Sequence, residues 1–199
     1  MTMTRIAVPI LSVAAALVLS SPAFGDRDHV KRAKATINSC TDGSFVGSLL
    51  LLERPSSEDV KVVDVFLTAR GLTPGQHAVH IHAMGSCTPC SAAGSHLDLG
   101  PSANNTPVTD NHPYHSGDLV NINIGSRGNG TLITTTNRIA LSPDPPERIP
   151  GRGLSIFDAD GASVIIHELP DDYCPGDPKA DANCAGGARV ACGVIQPEN

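Results

Sequence analysis

The chain has 199 residues, a formal charge of −6, only 3% aromatic residues and no Trp. This length favours one domain with an aliphatic core, and 19 Gly with 16 Pro argue against long helices. With 14 basic against 20 acidic residues, no positive surface is left for a phosphate backbone, which argues against nucleic acid as a partner. In chain order, Met1–Arg5 carries one positive charge, Ile6–Leu19 is apolar, and small residues run to Gly25. That layout predicts a secretory signal over residues 1–25, because the apolar run is short for a membrane span. Cleavage would remove Arg5 and no acid, taking the formal charge to −7. No later stretch is long or apolar enough to span a bilayer, so no membrane segment is expected in the mature chain. Residues 26–34 read as a charged, flexible arm and 35–199 as the folded domain.

From Ala35 onward the pattern is one of short strands and turns. Phe45–Glu53 is an apolar run, and Val60–Arg70 places Val63, Val65, Leu67 and Ala69 at period two. Gln76–His82, Leu119–Ile124, Gly130–Thr136, Ser163–His167 and Arg189–Ile195 follow. About eight strands with no helical periodicity predict an all-β sandwich or barrel. Two long segments, Ala83–Asp118 and Glu168–Ala188, interrupt it, and both are anchored by Cys. Loops of that length in a compact domain are usually functional or disordered, and these are read as functional. Six Cys in an exported chain predict a disulfide framework, with fifteen pairings open. Asn104-Asn105-Thr106 and Asn129-Gly130-Thr131 fit the glycosylation acceptor pattern, relevant only in a eukaryotic secretory route.

Seven of the 8 His lie between His77 and His167. His80 and His82, two apart on a strand, point to the same face and can reach one ion. His77, three residues before His80, faces the other way and is expected to be a hydrogen-bonded structural residue. His96, His112, His115, Asp118 and His167 complete a set that suits zinc or copper better than calcium or magnesium.

These residues sit in HAVHIH (77–82), CSAAGSH (90–96), HSGDL (115–119), GASVIIHE (161–168) and GGARVACGVI (186–195). Over residues 35–196 the chain resembles the copper/zinc superoxide dismutases. The resemblance implies an eight-stranded Greek-key sandwich or flattened barrel with two long functional loops. It implies dismutation of superoxide, a small-anion substrate, to dioxygen and hydrogen peroxide through a one-electron copper cycle. Its carry-over makes His80, His82, His96 and His167 the copper ligands, His96 also the bridge to zinc and a proton carrier, and His115 and Asp118 zinc ligands. Asp171 would link the two metal sites. Arg189 would guide the anion, acting through attraction rather than through folding, while Lys179 is weakened for that role by Asp177 and Asp181.

Among the cysteines, the resemblance pairs Cys90 with Cys192. A short local loop pairs Cys174 with Cys184, which leaves Cys40 with Cys87. The family has a further zinc-binding histidine about eight residues after the bridge; here that position is Asn104, and His112 is expected to replace it. The compartment is expected to be periplasmic or extracellular, and a homodimer stays open because the family's dimer surfaces differ among branches. Two other readings are weighed against the enzyme. A copper-carrying domain without turnover would not need Arg189, and a zinc hydrolase using His80, His82 and one more His would not need the remaining ligands.

Overall fold

The computed structural model describes residues 31–55, 61–100, 112–142, 155–174 and 183–198. The expected signal (1–25), the start of the arm (26–30), Asn104, Lys179, Asp177 and Asp181 lie outside these residues. Ten strands and a single 3-10 turn make up the described secondary structure, as the all-β reading required. No helix among the described residues is long and apolar enough to cross a membrane.

Three long strands form the most regular wall. β1 (Lys31–Ser39), β2 (Phe45–Glu53) and β3 (Val63–Arg70) pair antiparallel in sequence order. β1 buries Ala33, Ala35 and Ile37 while their neighbours face water. This corrects the expected arm: Lys31–Lys34 belong to the sheet, where Lys34 Nζ also meets Glu198 at 2.9 Å. Leu49 and Leu51 of β2, with Val63, Val65, Leu67 and Ala69 of β3, join the same core, which extends to Ile195. The period-two pattern is what lets one face stay aliphatic and dry.

The remaining strands are β4 (Gly75–His77), β5 (Val79–His82), β6 (Ile122–Ile124), β7 (Asn129–Thr136), β8 (Ser163–His167), β9 (Arg189–Val194) and β10 (Gln196–Glu198). Their order is β4-β6-β7-β3-β2-β1-β9-β8-β5, with β10 beside β1. The expected single strand Gln76–His82 is therefore broken at Ala78: β4 pairs with β6, and β5 pairs with β8. One residue joins the two ends of the sheet, which makes the structure a nearly closed barrel. Main-chain bonds from Ile81 N to Gly117 O (2.8 Å) and from Leu119 N to Val79 O (3.3 Å) stitch the gap. The expected strand at Leu119–Ile124 is shorter, because its first residues do this stitching. Glu53, buried at the end of β2, accepts the N–H groups of Leu141 (2.6 Å) and Ser142 (2.9 Å), fixing the segment after β7 to the barrel.

The cysteine pairing differs from expectation. Cys40 bonds Cys90 and Cys87 bonds Cys192, each with Cα atoms 5.7 Å apart, and Cys174 bonds Cys184. The expected Cys90–Cys192 and Cys40–Cys87 pairs are thus exchanged. Cys40, Cys87, Cys90 and Cys192 all pack in one cluster around Ala93 and Ile165, so distance along the chain from His96 does not decide which partner each meets. Non-reducing peptide mapping should recover a 40–90 link and an 87–192 link. Recovery of a 90–192 link would overturn this arrangement.

Candidate metal centre

β5 is buried on both faces, with Val79 and Ile81 in the aliphatic core and His80 and His82 on the opposite side. In β8 the residues opposite them are Ile165 and Ser163, so His167, two residues beyond Ile165, shares their face. A register shift between Ile166 and His167 follows, and His167 then faces Arg189 of β9. Two isolated bridges complete the site: His82 lies opposite His96 and His80 opposite Asp118. The loop carrying Asp118 approaches so closely that a Cβ on Gly117 would sit 2.1 Å from the Ile81 carbonyl oxygen, which explains the glycine of HSGDL. Gly186, at φ 94°, is fixed in the same way by the Cβ atoms of Ala78 and His167.

His80, His82, His96 and His167 converge, all buried, with one ligand atom from each within 4.8 Å of the others. Their outer ring nitrogens are occupied. His80 Nε2–H donates to Asp171 (2.9 Å), His82 Nδ1–H to the Gly94 carbonyl (2.9 Å) and His167 Nδ1–H to the Gly187 carbonyl (3.0 Å). The inner atoms, His80 Nδ1, His82 Nε2 and His167 Nε2, are buried without a hydrogen-bond partner. A donor on one nitrogen fixes the tautomer and aims the other's lone pair, which is how metal-ligating histidines are held. Burial lowers all four pKa values: His80 and His167 to about 4, His96 to about 3, and His82 well below its ordinary value. The rings are neutral near pH 7, and neutral imidazoles fit copper or zinc.

His96, His112, His115 and Asp118 form a second buried set. Three Nδ1 atoms approach one carboxylate: His96 at 2.7 Å, His115 at 3.0 Å and His112 at 3.2 Å. Asp171 links the sets, with Oδ2 on His80 and Oδ1 on His112, both at 2.9 Å. Its backbone is held in turn by the Asn121 side chain, which donates to Asp171 O (2.9 Å) and accepts from Asp171 N (2.8 Å). Burial alone would lower His112, but Asp118 and Asp171 raise it to about 9. Burial would raise both carboxyls, yet the surrounding imidazoles hold them far below their usual range. Two buried carboxylates around three imidazoles call for positive charge, which a divalent cation supplies. His112 thus lies with His96, His115 and Asp118 in a group that could hold one ion.

A cavity of about 110 Å³ opens on the four-histidine set, lined by His82, Ser95, His96, His167, Ala185, Gly187 and Arg189. Arg189 Nη1 donates to the Cys90 carbonyl (2.8 Å) and Nη2 to that of Gly94, which also accepts from His82. His77 lies outside the cluster, with Nδ1 2.7 Å from the His167 carbonyl oxygen and Nε2 2.8 Å from that of Thr73. Two contributors had no signal in the sequence. Asn121 lies outside every motif, as does Arg138, which reaches the loop of Asp118 from beyond β7.

Comparison with known proteins agrees with this geometry. Residues 46–195 match the copper/zinc superoxide dismutase (SODC) family. A copper-zinc superoxide dismutase of Caulobacter vibrioides is 32% identical over 197 residues, covering 94% of this chain and 98% of its own. A second, from Aquifex aeolicus, is 30% identical over 185 residues, covering 92% and 96%. A SOD-like protein from Bacillus subtilis superposes with a TM-score of 0.57 at 27% identity, over 80% of this chain and 95% of that one. A double mutant of that protein gives 0.56 at 28%, over 80% and 94%. A match across most of the barrel, running from β2 to the end of the β9 segment, is more than a shared architecture, and the chain belongs to the copper/zinc superoxide dismutase family.

Proposed function

We propose that this protein is an exported superoxide dismutase that holds copper through His80, His82, His96 and His167, and zinc through His96, His112, His115 and Asp118. The observation carrying the proposal is the set of inward-aimed, neutral imidazoles at the floor of a small cavity that also presents Arg189. Copper bound there supplies the one-electron exchange that oxidises one superoxide to dioxygen and reduces the next, with two protons, to hydrogen peroxide.

The protein's own groups bind, orient and protonate. Arg189 is a permanent cation inside a chain whose formal charge, −7 once residues 1–25 and their one Arg are removed, repels anions at long range, so attraction has to be local. Its hydrogen bonds to Cys90 O and Gly94 O fix the guanidinium at the wall of a cavity large enough for a diatomic anion. His96 turns Nδ1 to Asp118, leaving Nε2 on the ring's opposite side to carry a proton towards the product. Asp118 holds that ring in place. Three disulfides with no free cysteine suit an oxidising compartment, which with the signal-like residues 1–25 supports export.

Metal analysis of purified protein, with superoxide consumption measured on the same sample, tests the proposal. Copper and zinc with turnover support it. Copper without turnover supports a metal-carrying domain, a reading kept in view because the similar Bacillus subtilis protein is described as SOD-like. Arg189→Ala should lower kcat/KM by about tenfold or more at low salt and flatten its salt dependence, whereas Arg189→Lys, which keeps the cation, should keep the salt dependence. Both should retain copper. The two carbonyl bonds of Arg189 add a structural contribution to the expected attraction, and their loss should cost Arg189→Ala about 1–3 kcal/mol. Full activity of Arg189→Ala at low ionic strength would remove Arg189 from the mechanism.

A further inference from the structure

Residues 112–118 form a short, largely buried turn that carries three of the four members of the second metal set: His112, His115 and Asp118. The carbonyl oxygens of a buried turn need hydrogen-bond partners. One side chain provides them. Arg138 Nη1 donates to Pro113 O (3.0 Å) and His115 O (2.9 Å), and Nη2 donates to Asp118 O (2.5 Å). Arg138 is itself well anchored, because Ile139, Ala140 and Leu141 after it are buried and Glu53 grips Leu141 N. The guanidinium is a rigid, planar fork of five donors, so its contacts fix the spacing of the three carbonyls relative to one another.

We infer that Arg138 is a positioning residue for the second metal set: it holds the 112–118 backbone in the one shape that presents His112, His115 and Asp118 together. It touches no ligand side chain and acts only through the main chain. The inference rests on the reading that this set binds zinc.

Two physical roles for Arg138 predict opposite signs. If only its charge mattered, a nearby cation would oppose a divalent ion, and Arg138→Met would bind zinc more tightly. If it positions the turn, Arg138→Met loosens the ligands, and Arg138→Lys does so as well, because an ammonium has no fork to span three carbonyls. Zinc affinity of the full-length protein, measured by chelator competition, should fall about ten- to a hundredfold in both variants, the range seen for partners that orient ligands. Copper affinity, measured the same way, should stay within about threefold, because Arg138 contacts neither β5 nor β8. Cobalt placed in the second set should show an altered visible spectrum. Added guanidinium should restore zinc affinity to Arg138→Ala.

Folded variants with wild-type zinc affinity would overturn the inference, as would tighter binding or an equal loss of copper. Failure of all three variants to fold would also overturn it, by making Arg138 a requirement of the barrel and not of the turn. If wild-type protein itself binds no zinc, the proposed function of the second set fails, and that result is separable from the others.

Discussion

Asp118→Asn should weaken zinc retention by at least about a hundredfold while copper stays bound, since loss of a ligand exceeds the ten- to hundredfold cost of an outer partner. The carboxylate faces three Nδ1 atoms within 3.2 Å and accepts the His115 backbone N–H at 3.0 Å. An amide of the same shape offers one oxygen and turns an NH2 group towards an imidazole. It also removes the buried negative charge that makes this set attractive to a cation. Three of the four histidines of the other set, His80, His82 and His167, keep their hydrogen bonds to Asp171, Gly94 and Gly187, while His96 exchanges a carboxylate partner for an amide. Asp171→Asn should behave differently, because Asp171 holds one residue of each set. There both metals should weaken, zinc more than copper. Competition against chelators, read by metal-specific mass spectrometry, compares the variants. Unchanged zinc affinity in Asp118→Asn would refute the assignment of the His112–His115–Asp118 set.

Chelator-stripped protein should be most stable near pH 6.5 and weaken on both sides. On the acid side, His80, His96 and His167 are held by burial at about 4, 3 and 4. The unfolded chain takes up protons below about 6.5 that the folded chain refuses, so their contribution is complete above 6.5 and is lost as pH falls towards 4. For His80 alone the shift from 6.5 to about 4 corresponds to roughly 3 kcal/mol. The depressed carboxyls of Asp118 and Asp171 steepen the loss below their ordinary range. On the basic side, His112 is raised to about 9 by the two carboxylates. Its contribution is present below 6.5 and lost as pH rises through 9. Zinc should abolish this basic limb, because the bound ion takes the place of the His112 proton. Urea unfolding of stripped and zinc-loaded protein across pH 4–10 reads both limbs. A flat profile from 6.5 to 9 in the stripped protein would remove His112 from between the carboxylates.

What could be read in the sequence followed regular periods. His80 and His82 share a face because strand side chains alternate, and His96, His115, Asp118 and His167 sit in motifs with recognisable spacing. The all-β architecture followed from the same alternation. Features that depend on where loops meet could not be read. Four cysteines gather in one cluster, so order along the chain gives no preference between the two ways of pairing them. The break at Ala78 is hidden because no Gly or Pro interrupts Gln76–His82 to mark it. β1 starts at Lys31 behind a charged segment, and its inward residues there are alanines, too small to mark a strand. Arg138 lies in no motif, and only the fold brings it to the carbonyls of residues 113, 115 and 118.

β1 takes one neighbour from the strand made directly after it and the others from β9 and β10, at the opposite end of the chain. During synthesis the hairpin of β1, β2 and β3 can form early, but its open flank waits for residues 189–198 to arrive. Contacts this distant in sequence make assembly slow and leave an unpaired strand edge exposed in the meantime. A nascent chain halted before residue 189 lacks Arg189 as well as Cys192, so neither the cavity nor the 87–192 link can exist on it. Formation of the cavity and of that link therefore waits until synthesis has passed residue 192.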